Sequence, residues 1–404
     1  MSATALERQD VGPRAAARVL RSPNFGPYFV GNAASASGTW FQNLAASLFV
    51  YRLTHSAFLL GVVTFSQFIP ILVLAPWAGA LADRFDRRRL LLVTQIAAAA
   101  IAGALAVLAW RGVNEWVVIG FMFATGVTSA FSAPASQALI VQLVEEPDVP
   151  QAVALNSMTY NLARAIGPAS AAAAIAWLGI PPAFLLNALS YLLLVGALLI
   201  VHPREQERDE SPSLRESLSL LRRDPRLAAF LVIVMCVGFA SDPVNTLAPA
   251  FASAFGHPDT LAGVLIGVFG AGAVCAAFVV AGRVAGSRER LAATLALLGL
   301  GMIAFSLCPW LLVALVPLFL AGVGYLASNT AATTRLQLGV RESQRGRIMA
   351  LWSIAFLGMR PFASLIDGAL AAAFGVRVAG VVLALPALAC ASAIVLTTRA
   401  RVRA

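Results

Sequence analysis

Lysine is absent from this 404-residue chain, and all 29 basic side chains are arginine. Charge of either sign is scarce at 12% of residues, and histidine occurs only 3 times. Scarcity at this level excludes a soluble globular protein. A composition that is 59% hydrophobic, with a mean hydropathy of +0.82, carries more apolar surface than a fold in water can hide. A bilayer accepts that surface, at about 20 apolar residues per crossing. His55, His202 and His257 fall outside the long apolar runs, and Cys236, Cys275, Cys308 and Cys390 form no CxxC or Cys/His spacing. A metal site, a disulfide framework and a membrane-embedded catalytic constellation therefore find no support. No phosphate-binding Walker motif is present, so ATP is not the expected driver. Residues 1–24 are polar and arginine-containing, so no cleaved leader is expected.

What the chain has is twelve long apolar runs. They lie near 25–51, 58–82, 90–110, 115–141, 150–178, 182–201, 227–255, 260–283, 291–309, 311–339, 345–373 and 376–397. Each is long enough to cross a bilayer as a helix. Arginines cluster before the first run, after the second, between the sixth and seventh, after the eighth, around 335–347 and in the tail. The alternate loops carry only Arg52, Arg111 and Arg377. The positive-inside rule then puts both termini and the Arg-rich loops in the cytoplasm of a multi-pass inner-membrane protein. Topology and anionic headgroups account for the net charge of +10, with no nucleic-acid partner. The expected organisation is a tail over 1–24, a six-helix bundle over 25–201, a linker over 202–225, a second bundle over 226–398 and a tail over 399–404. Within the linker, Ser213 and Glu216 have capping-box spacing, and Leu214, Leu218 and Leu221 follow at helical spacing. That pattern predicts a short amphipathic helix on the membrane surface.

The two sides of the linker resemble each other. Ala154-Leu155-Asn156-Ser157 parallels Ala350-Leu351-Trp352-Ser353, and at the same offset Arg164 falls on Arg360 and Gly179 on Gly375. Fixed-offset similarity marks a duplicated unit. Polar residues concentrate in the first helix of each expected triplet. They include Asn32, Ser35, Thr39 and Gln42 in span one, Thr128 and Ser132 in span four, Asn245 in span seven, and Tyr325 and Asn329 in span ten. Such stripes face other helices or water, because lipid cannot satisfy them. They line a central cavity or serve close helix packing. Trp40 lies deep in span one, against an apolar substrate or in the core. Trp110, Trp116, Trp177 and Trp310 sit near span ends, as belt residues do.

Charges inside spans are costly and point to function. Asp242, followed by Pro243, sits in span seven, and Asp367 lies toward the end of span eleven. The proline removes a backbone donor and is expected to open the helix there. Either carboxylate can exchange a proton during transport or serve structure in an ion pair or cap. Arg164 and Arg360 occupy equivalent positions in the two halves. They can hold an anionic substrate, pair with Asp242 or Asp367, or steady helices five and eleven.

The most informative stretch joins spans two and three. Gly79-Ala80-Leu81-Ala82-Asp83-Arg84-Phe85-Asp86-Arg87-Arg88-Arg89 places six charges within residues 83–89, between two apolar runs. This pattern resembles the loop between helices two and three of the major facilitator superfamily. The resemblance implies twelve transmembrane helices in two pseudo-symmetric six-helix bundles, an all-α integral membrane fold. It also implies a gate latch at Gly79, Asp83, Arg84, Arg87 and Arg88, with the arginines pairing across the halves, and a cavity lined by spans one, four, seven and ten. Asp86 stands where the general motif often has glycine. Gly167-Pro168 resembles the helix-kinking Gly-Pro motif of exporters in the superfamily. Arg21-Ser22-Pro23-Asn24-Phe25, Gly38-Thr39-Trp40, Tyr51-Arg52-Leu53-Thr54 and Asn187-Ala188-Leu189-Ser190-Tyr191 resemble the exporter branch that includes enterobactin and macrolide efflux proteins. The branch implies a monomeric, proton-driven exporter of small amphipathic molecules with no cofactor. A lysophospholipid-type flippase and an importer of the same fold remain as alternatives.

Overall fold

The computed structural model describes residues 13–204, 221–222, 224–279, 287–341 and 344–403. Apart from Leu221, the linker helix expected near 213–221 lies outside the described residues, as do the side chains of Asp83 and Arg164. Helices occur in the order α1 (Pro13–Leu20), α2 (Phe25–Thr54), α3 (Ala57–Arg84), α4 (Arg87–Arg111), α5 (Glu115–Gln142), α6 (Val149–Leu178) and α7 (Ile180–Ile200). After the linker come α8 (Pro225–Thr246), α9 (Ala248–Ala254), α10 (Leu261–Val279), α11 (Arg288–Leu307), α12 (Leu311–Leu338), α13 (Arg345–Leu357), α14 (Arg360–Phe374) and α15 (Val376–Arg403). Among the described residues, ten spans are long and apolar enough to cross a membrane, with α13 and α14 together forming one of them. The other two rods, α2 and α6, are 30 residues each and carry more polar side chains.

Local chemistry sets the helix starts. Ser56, Asp86, Asn114, Asp224 and Ser287 each accept a backbone N–H of the first turn, satisfying a donor that the helix leaves orphaned. Asp86, the departure from the superfamily pattern, is thus the N-cap of α4, accepting from Arg89 N at 2.7 Å. Gly179 and Gly375, matched by the repeat, end α6 and α14 with φ of 85° and 91°. Only glycine adopts that conformation cheaply.

Two features depart from the sequence reading. The segment before α2 is more than a polar tail. Its helix α1 buries Ala15 and Val19, and Arg18 bonds Asp148 at 2.6 Å at the start of α6. The seventh span is broken one turn later than Pro243 suggests. α8 runs through Asp242 and Pro243 to Thr246, and the chain bends at Leu247 before α9 restarts with Pro249 in its first turn. A proline is tolerated at a helix start, where its missing donor would be unpaired anyway.

Contacts sort into two groups of helices. In the first, α2 packs on α6 and α7, α4 on α5 and α7, and α3 on α5. In the second, α11 packs on α12 and α15, α10 on α12, and α8 on α12 and α15. The groups meet mainly through α3 with α14 and α6 with α10. These two seams are built alike. A Cβ on Gly61 would overlap the Ser364 carbonyl oxygen, and one on Gly263 would overlap the Pro168 carbonyl. Ser364 and Pro168 are equivalent at the repeat's offset, so the duplicated unit closes on its partner through the same contact twice. Both seams lie toward the end of the molecule opposite the Arg-rich loops. There Arg52 of α2 binds Asp259, just before α10, through Nε at 2.6 Å and a second nitrogen at 3.0 Å. At the Arg-rich end Trp77, Phe85 and Leu338 are exposed, and open space surrounds Gly79.

Candidate transport site

Between the two groups lies a small cavity of about 30 Å³, lined by side chains that include Trp40, Asn43, Gln67, Pro168, Asn245 and Arg360. That volume admits about two water-sized molecules. Of the lining side chains, Arg360 alone is charged. It begins α14, where the ladder is interrupted by Pro361, which has no N–H to give.

Behind Arg360 lie two carboxylates. The Arg360 Nε is 3.6 Å from Asp242 Oδ1, and Thr246 donates its hydroxyl to Asp242 Oδ2 at 2.9 Å. Asp367 follows two turns after Arg360 on the same helix face and is fully buried. Neither of its oxygens receives a hydrogen bond from a donor, and its polar neighbour is the Asp242 carboxylate. One guanidinium against two carboxylates leaves a single negative charge in excess, and one proton on the pair balances it. Uncompensated charge at this depth is costly, so these three side chains form one electrostatic unit. Arg360 also places its guanidinium carbon 4.4 Å from the centre of the Phe68 ring, on α3 of the other group.

The sequence reading is met in part. Trp40, Asn245 and Arg360 line the cavity, and Asp242 and Asp367, assessed separately from sequence, come together in one cluster. Asn43 and Gln67 were missed. They line the cavity and bond each other, Gln67 donating to Asn43 Oδ1 at 2.7 Å. A polar pair in two apolar spans was the available signal.

The rest of the span-one stripe turns away from the cavity. Gln42 is fully buried, donates to Thr125 Oγ1 at 3.0 Å and accepts from Asn187 Nδ2 at 2.6 Å. Ser35 donates to Gln95, Thr39 lies 3.1 Å from the Tyr191 hydroxyl, and Asn32 donates to Asn156. These bonds join helices of the same group, as the packing alternative expects. Thr128 and Ser132 spend their hydroxyls on carbonyls of their own helix. Tyr325 is buried against Phe269, and Asn329 keeps a buried Oδ1 with no donor. Gly167 serves close packing, since a Cβ there would sit 2.8 Å from Trp40 Cβ, and α6 runs on through Pro168.

The charged motif also finds partners on its own side. Arg88 donates to the Leu198 and Leu199 carbonyls at 2.6 and 2.9 Å, and Arg87 reaches the Ala138 carbonyl at 3.5 Å. Those carbonyls end α7 and α5, where cations are favoured. Among the described residues, Arg87 and Arg88 thus bond within their own half rather than across the halves, and Arg84 is exposed. Cys390 and Cys236, whose spacing indicated no disulfide, are free thiols that bring their Sγ atoms to 3.5 Å and join α15 to α8.

Comparison with known proteins agrees with this architecture. Residues 15–404 match the family model described as transmembrane secretion effector. The staphyloferrin A transporter of Staphylococcus aureus is 34% identical over 41% of this chain and 42% of its own length. The macrolide efflux protein A of Streptococcus pyogenes is 24% identical over 60% of this chain and 65% of its own. Those matches span less than two thirds of either relative. The enterobactin exporter of Shigella boydii is 27% identical over 90% of this chain and 91% of its own. In three dimensions the chain resembles a bacterial homologue of the lysosomal transporter Spinster in an inward-facing, occupied conformation. The TM-score is 0.75 at 13% identity, over 93% of this chain and 96% of that one, which is a likeness of fold alone. The duplicated bundles, the membrane-spanning helices and the family match lead to one assignment: this chain is a multi-pass membrane protein of the transmembrane secretion effector family of major facilitator transporters.

Proposed function

We propose that this protein exports small amphipathic molecules in exchange for protons by alternating access, as a monomer in the bacterial inner membrane with both termini cytoplasmic. The observation that carries the proposal is the buried Arg360, Asp242 and Asp367 cluster beside the cavity. It holds one negative charge too many, so a proton and its loss change the charge at the place where cargo must pass. The arginine-rich loops, by the positive-inside rule, support an Arg-rich end on the cytoplasmic side. On that orientation the present conformation is closed outside, by Arg52 with Asp259 and by the two glycine seams, and looser inside.

The cycle then runs as follows. Cargo enters from the cytoplasmic side and settles among Trp40, Asn43, Gln67 and Asn245, which offer a flat apolar face and amide hydrogen bonds. The Asp pair has given up its proton to the cytoplasm. Both seams part, cargo leaves, and the pair takes a proton from outside. Its charge is balanced again, and the outer end closes. The export direction draws on the names of the relatives, two of which are efflux or export proteins.

Everted vesicles loaded with a lumenal pH dye test this reading, with erythromycin and a catecholate siderophore as probes. Cargo-dependent proton release from an energised lumen is expected in wild type and is lost in well-expressed Asp242→Asn and Asp367→Asn. Movement of labelled probe without proton movement would overturn the coupling.

A further inference from the structure

Phe68 is an apolar residue in an apolar span, and nothing in the sequence singles it out. Its place in the seam does. Along α3 and α14 the contacts run in register. Gly61 meets Ser364 and Gly368, Phe68 meets Arg360, and Leu72 meets Gly358. Phe68 therefore sits in the middle of the seam that must part, and its ring is the partner of the one cation lining the cavity.

Arg360 has two competing attractions. On one side is the ring face at 4.4 Å, on the other the Asp242 carboxylate at 3.6 Å, with Asp367 behind it. An N–O separation of 3.6 Å is long for a charge-assisted hydrogen bond, so the guanidinium is shared between the two. We infer that Phe68 is a positioning residue that transmits the protonation state of the Asp242 and Asp367 pair to the α3–α14 seam. When the pair holds a proton, the guanidinium rests on Phe68 and helps keep the seam shut. When the proton leaves, the added negative charge draws Arg360 off the ring and the seam loosens. This inference rests on the proton-coupled reading above and supplies its missing link between charge and movement.

The charged groups that bear on Arg360 are few. Packed against α14 are α3, α8 and α15. Within Ala57–Ala82, α3 has no ionisable side chain, α8 brings Asp242, Cys236 and Arg226, and α15 brings Cys390, Arg377 in its first turn and Arg399, Arg401 and Arg403 at its far end. Arg226 and Arg377 lie at helix ends, and Arg377 is engaged with the Cys308 carbonyl at 3.0 Å. Asp242 and Asp367 are thus the acid groups that can change its balance.

The test uses the full chain in lipid nanodiscs, with its four native cysteines replaced and spin labels at Trp116→Cys and Trp310→Cys, on opposite halves of the far end. The population with the far end closed is read against pH. Wild type is expected to shift toward the closed form as pH falls. Phe68→Leu, which keeps apolar bulk but has no ring, should lower the closed-to-parted ratio at low pH by about 2- to 30-fold, the equilibrium equivalent of one cation–π contact, and flatten the curve. Phe68→Trp keeps a π face and should restore both. A Phe68→Leu curve identical to wild type, or a Phe68→Trp curve identical to Phe68→Leu, overturns the inference and leaves proton coupling standing. A wild-type curve that is flat and matches Asp242→Asn overturns both.

Discussion

Substitution of Gly61 by alanine should open the end of the molecule that is now closed. In this conformation the added methyl would overlap the Ser364 carbonyl oxygen and lie 3.2 Å from the Gly368 Cα, so backbone, not a flexible side chain, stands in its way. Overpacking of this kind costs about 1–3 kcal/mol. Alanine also favours the helix by about 1 kcal/mol, but it does so whether the seam is shut or parted, and that gain cancels from the balance between the two. The net shift toward the parted form is about 5- to 150-fold. Ser47 lines the cavity and reports it as Ser47→Cys in a cysteine-free background. A membrane-impermeant thiol reagent, added to right-side-out or everted vesicles, measures from which face that site is reached. Gly61→Ala should raise labelling from the far face relative to the Arg-rich face by that factor. Gly263→Ala should act in the same way, because its methyl meets the Pro168 carbonyl, and the two should combine nearly additively. Gly120→Ala, with open space around it, is the control and should change nothing. A folded Gly61→Ala protein whose labelling ratio equals wild type would refute the idea that these glycines hold the seam closed.

Removing Arg52 should favour the parted form only slightly, by no more than about 1 kcal/mol, since that side chain is 42% exposed. The difference should fade in 1 M salt, and the swapped pair Arg52→Asp with Asp259→Arg should regain the wild-type labelling ratio. Gln42→Leu should lower thermal stability by about 1–3 kcal/mol through the orphaned Asn187 and Thr125, with cargo affinity unchanged. Loss of cargo binding at unchanged Tm would return Gln42 to the cavity. Arg360→Gln alone should destabilise by about 3–5 kcal/mol because Asp242 is left buried without its cation, while Arg360→Gln with Asp242→Asn should recover much of that in the same melting assay.

Much of this architecture is legible in the order of residues. Spans are announced by length and hydropathy, and their starts by Ser56, Asp86 and Asn114. The duplication is carried by pairs such as Gly179 and Gly375, whose shared positive φ is a backbone demand that sequence records directly. What sequence does not record is which face of a helix meets which neighbour. Ser35, Thr39 and Gln42 lie on a common polar face, and that face turns to α4, α5 and α7 rather than to the cavity. The pattern alone serves either arrangement. Asp242 and Asp367 stand 125 residues apart, and Arg52 and Asp259 stand 207 apart, so their meeting follows from how helices associate. Phe68 is still harder to see, since an aromatic ring in an apolar run carries no mark of the cation above it. Asp86 was a weakness when measured against a family pattern, and it has a local reason as a helix cap.

Arg360, Asp242 and Asp367 all belong to the second group of helices, and in the proposed cycle they would travel together. A membrane voltage of 100 mV acts on each elementary charge that crosses it with about 2.3 kcal/mol. With one proton aboard, the three side chains sum to zero, and their passage through the field does almost no electrical work. Without it they carry one negative charge, and the same movement is felt by the voltage. The proton leg of the cycle should therefore be nearly indifferent to membrane potential, and whatever electrical sensitivity the protein has should lie in the leg that carries cargo.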